Sequence, residues 1–239
     1  MSILTLISIL VIFGGITISR NQDWKDDLSL IQHDIKISPN SAKLNTAVGG
    51  IFLEKFGNSS NSNIQSEKIK IAKAHLNKAI QLHPLYFEAY NLLGNAHFIS
   101  KEYKDAISKY EFILKYKPAD QDALSNLALS YRELGRITGM NENNPSLAIQ
   151  YLVKAIQLKP KDEEAISLLG VAYGVMGQYD KAVEIFTDVL KINPKSSNAY
   201  FNLYLTYLNK GDKTLAEENL SKAKLIDPDV LNKFNKMGK

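Results

Sequence analysis

Six of the seven prolines close the same kind of phrase. Pro39, Pro84, Pro118, Pro160, Pro194 and Pro228 each follow an apolar stretch at helical spacing, as in KAIQLHP, KAIQLKP, DVLKINP and KAKLIDP. Their successive intervals are 45, 34, 42, 34 and 34 residues. A 34-residue period with two expanded intervals predicts helix pairs stacked one on the next. No such pair buries its apolar face alone, so the core is shared between neighbours. The product is an extended docking surface and not a catalytic cleft.

The clearest repeat is 163–194. With Glu163 as position 1, Leu169 and Gly170 fill positions 7 and 8 and Tyr173 position 11. Ala182, Phe186, Val189 and Pro194 fill positions 20, 24, 27 and 32. Small residues at Gly170 and Ala182 let the two helices approach, and Tyr173 and Phe186 fill the space around them. Gly177 allows the positive φ that turns the chain between the helices. Pro194 stops the second helix, because it lacks an N–H and its ring clashes with the preceding turn. Segments 87–118 and 197–228 fit in register, and 121–160 fits with eight extra residues between its helices. This pattern resembles the tetratricopeptide repeat. The resemblance implies an all-α fold, a right-handed superhelical solenoid of antiparallel helix pairs. The array is expected over 41–228 as five pairs, 41–84, 85–118, 119–160, 161–194 and 195–228. A half-repeat helix over 20–40 is expected before it and a short cap over 229–239 after it. GNSSNSNIQS, polar and rich in Asn and Ser, reads as a mobile tip within the first pair. RITGMNENNP reads as an enlarged turn within the third.

Residues 1–19 contain no ionisable side chain. About 20 apolar residues cross a bilayer core, so this run predicts an N-terminal transmembrane helix, with a cleaved signal peptide as the alternative. Arg20, Lys25 and Lys36 after the run would place the repeats in the cytoplasm by the positive-inside rule. The junction argues the other way. Arg20, Trp24, Asp26, Asp27, Leu28, Pro39, Asn40, Ser41 and Lys43 occur in the order found in transmembrane-and-TPR proteins, whose animal members are O-mannosyltransferases. That resemblance covers about 1–56 and implies a single-pass membrane protein with its repeats on the extracytoplasmic side. It carries no catalytic residue into this chain.

The formal charge of +4 is mild and forms no basic stripe, so nucleic acid is not an expected partner. No cysteine is present, which excludes disulfides and thiolate metal sites. His33, His75, His83 and His97 show no ligand spacing, and His97 falls in the position-11 packing slot. No phosphate loop or nucleophile motif occurs, so neither enzyme activity, nor a cofactor, nor a metal is expected. Two sequons, at Asn58 and Asn219, stand in a loop and in a helix respectively. The functional signal that remains is polar. In such repeats the first helix lines the concave face, and here it carries Asn91, Asn95, Asn126, Arg132, Asn202 and Asn209. Asparagine both donates and accepts, so a row of them can hold an extended peptide by its backbone. The expected role is a scaffold that binds a protein or peptide in its groove. The alternative is the non-catalytic C-terminal region of an O-mannosyltransferase-like membrane enzyme, presenting acceptor protein.

Overall fold

The computed structural model describes Phe13 and residues 26–237. Every element from residue 26 onward is an α-helix. They are α1 (Asp27–Ile37), α2 (Ala42–Phe56), α3 (Ser62–Leu82), α4 (Phe87–Ile99), α5 (Tyr103–Tyr116), α6 (Gln121–Met140), α7 (Pro145–Leu158), α8 (Glu163–Val175), α9 (Tyr179–Ile192), α10 (Ser197–Lys210), α11 (Lys213–Ile226) and α12 (Val230–Met237). The chain divides into two compact units, 1–118 and 119–239. In the first, α1 packs on α2, α2 pairs with α3, and α4 pairs with α5. In the second, α6 pairs with α7, α8 with α9 and α10 with α11, and α12 closes against α10.

The prolines act through the residue before them. Ser38, His83, Lys117, Lys159, Asn193 and Asp227 are the C-caps of α1, α3, α5, α7, α9 and α11. Their φ values lie between −128° and −142° and their ψ values between 65° and 97°. The following proline ring bars the αR region to these residues, so each helix stops one residue earlier. The seventh proline, Pro145, opens α7, where its missing N–H costs nothing. Between paired helices the chain turns through positive φ at Lys101 (61°), Gly177 (71°) and Gly211 (87°), the same position in three repeats.

Close approach within the pairs rests on glycine opposite a large side chain. A methyl group added at Gly49 would sit 2.5 Å from Leu76, at Gly94 2.6 Å from Tyr110, at Gly135 2.7 Å from Leu152 and at Gly170 2.7 Å from Phe186. Real side chains do not approach so closely, so these glycines set the spacing of four helix pairs.

Both expanded intervals are helical, contrary to the sequence reading. The residues expected as a mobile tip give a turn only as far as Asn61. Its side chain accepts from the N–H groups of Asn63 and Ile64 and starts α3 at Ser62. α3 therefore has 21 residues where α5, α7, α9 and α11 have 14. In the third pair, the expected long turn is instead a 20-residue α6, followed by a short link to Asn144, which caps α7. A helical extension satisfies each backbone N–H and C=O internally, which a long polar loop does not.

Among the described residues, no helix is long and apolar enough to cross a membrane. The two longest are amphipathic, and α3 alone carries Glu67, Lys68, Lys70, Lys73 and Lys78. This overturns the expected single-pass membrane localisation and its extracytoplasmic orientation. The span expected over 1–19 lies outside the described residues, Phe13 excepted.

The first unit also holds a buried polar network. Asn45 is fully buried. Its Nδ2 donates to the carbonyls of Pro39 (3.0 Å) and Ser41 (2.9 Å), and its Oδ1 lies 2.9 Å from His75 Nδ1. Burial, aided by the neighbouring Lys78 charge, lowers the His75 pKa below its ordinary 6.5. The unfolded chain therefore takes up a proton that the folded chain resists. Stability is full above the unfolded value of about 6.5 and declines as pH falls below it. Denaturation midpoints of wild type and His75→Gln at pH 7.5 and 5.5 check this. The wild type is expected to lose more on acidification, and equal losses would remove His75 from the account.

Candidate functional site

The second unit contains a cleft of about 240 Å³ between α8 and α10. Gly170, Val171, Gly174 and Val175 form one side, and Asn202 and Asn209 stand on the other. Val171 and Val175 are 41% and 63% exposed. Asn202 and Asn209 are two helical turns apart on one face of α10. Neither side-chain amide has a partner among the described residues. The two glycines differ in kind. Gly170 is jammed against Phe186, but a methyl group at Gly174 would meet nothing within 4 Å. Glycine inside a helix costs about 0.5–1 kcal/mol relative to alanine. At Gly174 no packing within the chain offsets that cost, and what the missing side chain leaves is depth in the cleft.

The other residues read from the sequence fall differently. Asn95 Oδ1 accepts from the Tyr110 hydroxyl at 2.7 Å. Tyr110 is buried, and that burial raises its pKa. Asn95 thus serves the core of the α4–α5 pair. Arg132 is drawn into an ion-pair cluster: its Nη1 lies 3.2 Å from both Asp162 oxygens and 3.0 Å from Glu164 Oε2. Asp162 is buried and caps α8 by accepting from Ala165 N–H. Arg132 therefore fixes the start of α8, and its buried Nε faces Glu133 at 3.5 Å without a hydrogen bond. Asn91 on α4 and Asn126 on α6 are half-buried. The structure thus brings Asn202 and Asn209 to one cleft. Asn91 and Asn95 belong to the other unit.

A feature that sequence reading missed lies in the first unit. A pocket of about 630 Å³ is lined by α3 and the turn between α4 and α5. Gln65, Ser66, Ile69, Lys70 and Lys73 come from α3, His97 and Ile99 from the end of α4, and Ser100, Lys101 and Glu102 from the turn. Glu102 Oε2 accepts from Lys73 Nζ at 2.6 Å and from His97 Nδ1. Partial burial raises the Glu102 pKa, but the bonds from Lys73 and His97 outweigh it and hold the carboxyl below its ordinary range. His97, Glu102 and Asp105 each bring one ligand atom within 4.8 Å of the others, a spacing that fits a metal ion. The surrounding charge opposes one. Lys73 already occupies Glu102, and Lys70 and Lys101 share the lining. The spacing of residues 97, 102 and 105 across a turn carried no sequence signal, because their convergence depends on the turn at Lys101.

Of the two sequons, Asn58 is exposed. Asn219 is buried within α11 and its Nδ2 donates to Leu215 O at 2.8 Å, which withholds it from modification.

Family models described as "Tetratricopeptide repeat" match residues 61–111, 163–196 and 197–230. The chain carries tetratricopeptide repeats. Its fold is the all-helical solenoid of such repeats. Over 146 residues, 58% of this chain and 25% of the relative, it is 28% identical to Hsp70-Hsp90 organizing protein 3 of Arabidopsis thaliana. Over 166 residues, 69% of this chain and 24% of the relative, it is 28% identical to Anaphase-promoting complex subunit 3 of Schizosaccharomyces pombe. The chain spans about a quarter of the length of these relatives. Among solved structures, YrrB, described as a TPR protein with an unusual peptide-binding site, aligns with a TM-score of 0.57 at 24% identity, covering 87% of this chain and 98% of that one. MamA aligns with a TM-score of 0.53 at 22% identity, covering 77% and 94%. At these identities the structural likeness speaks for the tetratricopeptide fold alone. The O-mannosyltransferase-like resemblance of residues 1–56 gains no support from any of these relatives.

Proposed function

We propose that this tetratricopeptide-repeat chain is a protein-interaction scaffold that holds an extended polypeptide segment in the α8–α10 cleft. The observation that carries the reading is the cleft's composition. An apolar trough deepened by Gly174 runs beside two amide side chains with no partner among the described residues. The trough suits an apolar side chain of the ligand. Asn202 and Asn209 can each give and take a hydrogen bond, as an extended backbone requires. No charged side chain lines the cleft, so ion pairing is not its means of recognition. Two relatives are named for work with other proteins, as an organizing protein and as a complex subunit. Tetratricopeptide repeats are typically non-catalytic scaffolds, which agrees with a binding role.

The test is selection of peptides from a displayed random library against the intact chain. Peptides bound in the cleft are expected to protect the backbone amides of 170–175 and 202–209 from hydrogen exchange. Gly174→Leu fills the trough and is expected to abolish their binding. Asn202→Ala with Asn209→Ala is expected to weaken it by about one to two decades, each lost hydrogen bond being worth ~0.5–1.5 kcal/mol. Peptides that bind wild type and Gly174→Leu alike would remove the cleft from the reading.

A further inference from the structure

The expanded first interval builds something the 14-residue helices lack. Counted back from Leu82, a 14-residue helix would begin at Ile69, so Ser62–Lys68 are extra turns of α3. Two residues of that extension, Gln65 and Ser66, line the pocket over the α4–α5 turn. They wall one side of a space more than twice the volume of the α8–α10 cleft. Insertions of this length in compact repeats are often functional.

The pocket's chemistry is uneven. Lys70, Lys73 and Lys101 line it, against one carboxylate, Glu102. Lys73 and His97 are both turned onto that carboxylate. Lys70 and Lys101 form no ion pair with any described residue, and both are exposed. The α5 N-terminus, whose N-cap Glu102 makes no side-chain capping bond, adds its partial positive charge from below. Asp105, on the first turn of α5, does not line the pocket. Ile69 and Ile99 give the lining an apolar part. At about 630 Å³ the space lies within the range of pockets that hold molecules of some size, well above a lone ion.

We infer that this pocket is a second docking site, for an acidic stretch of polypeptide whose carboxylates pair with Lys70, Lys73 and Lys101 while its apolar residues rest on Ile69 and Ile99. Glu102 is the resident carboxylate that holds Lys73 and His97 in place until the ligand's carboxylate replaces it. The inference rests on the reading of the chain as a peptide-binding module but concerns the other unit.

The experiment uses the full chain, a fluorescent short peptide of alternating Glu and Leu, its Gln–Leu counterpart, and inorganic phosphate as competitor. The acidic peptide is expected to bind, and to bind more weakly as salt is raised. Lys70→Gln with Lys101→Asn is expected to weaken it at least about tenfold; asparagine is chosen because it tolerates the positive φ of residue 101. Glu102→Gln, which releases Lys73, is expected to strengthen it. Gly174→Leu is expected to leave it unchanged, which separates this site from the α8–α10 cleft. Equal binding of the Gln–Leu peptide would overturn the proposal, as would wild-type affinity in the double lysine variant. Loss of affinity in Glu102→Gln would overturn the role of the resident carboxylate. Complete displacement by millimolar phosphate would give the pocket to a small anion.

Discussion

Gly170→Leu is expected to lower the denaturation midpoint of the second unit more than any other single change on α8, while Gly174→Ala four residues away is expected to raise it. Both positions are helix-interior glycines, and sequence alone does not tell them apart. Their surroundings do. A methyl group at Gly170 already sits 2.7 Å from Phe186, a ring that is 2% exposed and packed with Ala182 and Leu203. The leucine must push α8 and α9 apart, at ~1–3 kcal/mol or more. At Gly174 nothing lies within 4 Å, so alanine gains its helix propensity, about 1 kcal/mol, without a clash. Urea midpoints of the two variants, read by far-ultraviolet circular dichroism, check the pair. In a repeat array, transitions need not be two-state, so the sign and order of the shifts are the firm quantities. A stabilised Gly170→Leu would mean that the helices of this pair are not held at the observed separation.

The contrast shows what the sequence made legible and what it did not. The period of the prolines, the small residue at position 8 and the large one at position 24 are local and recurrent, so the helix pairs could be read directly. The first expanded interval misleads because its Asn- and Ser-rich composition suggests a mobile tip, and the second because its extra residues suggest an enlarged turn. An asparagine placed one residue before a helix is an N-cap, and Asn61 and Asn144 act as caps. The apolar run at 1–19 reads as a membrane span, whereas none of the described helices can cross a membrane. Among the groove residues, the row of asparagines was visible but its division of labour was not. Asn95 is tied to Tyr110 and Arg132 to Asp162 through contacts 15 and 30 residues apart in sequence. Only Asn202 and Asn209 line the cleft. His97 falls in the position-11 slot of the repeat, and its ring reaches Glu102 across a turn whose geometry is set by a lysine at positive φ. No residue-type pattern announces such a turn.

Asn45→Ala is expected to be the most damaging substitution in the first unit. Asn45 is fully buried and uses both ends of its amide. Truncation removes the donor from Pro39 O and leaves Ser41 O only its bond from the Asn45 backbone N–H at 3.0 Å. It also strands the His75 Nδ1 in a half-buried site. Each buried polar group left unsatisfied costs ~1–3 kcal/mol, and the small cavity adds to that. The expected total is about 2–4 kcal/mol by the same reckoning. The effect should be local as well as global, because Pro39 and Ser41 form the link by which α1 reaches α2. Hydrogen exchange in 38–45 is therefore expected to accelerate beyond what the loss of global stability predicts. Asn45→Asp separates the hydrogen bonds from the packing. It keeps the volume but presents an acceptor to two carbonyl oxygens, and its charge favours protonated His75. Its deficit relative to wild type is expected to shrink as pH falls and His75 takes up a proton, opposite in sign to the acid sensitivity of the wild-type network. A deficit that stays constant between pH 7.5 and 5.5 would show that Asn45 and His75 are not coupled, and the short link at 38–41 would then owe its geometry to Ser41 and Pro39 alone.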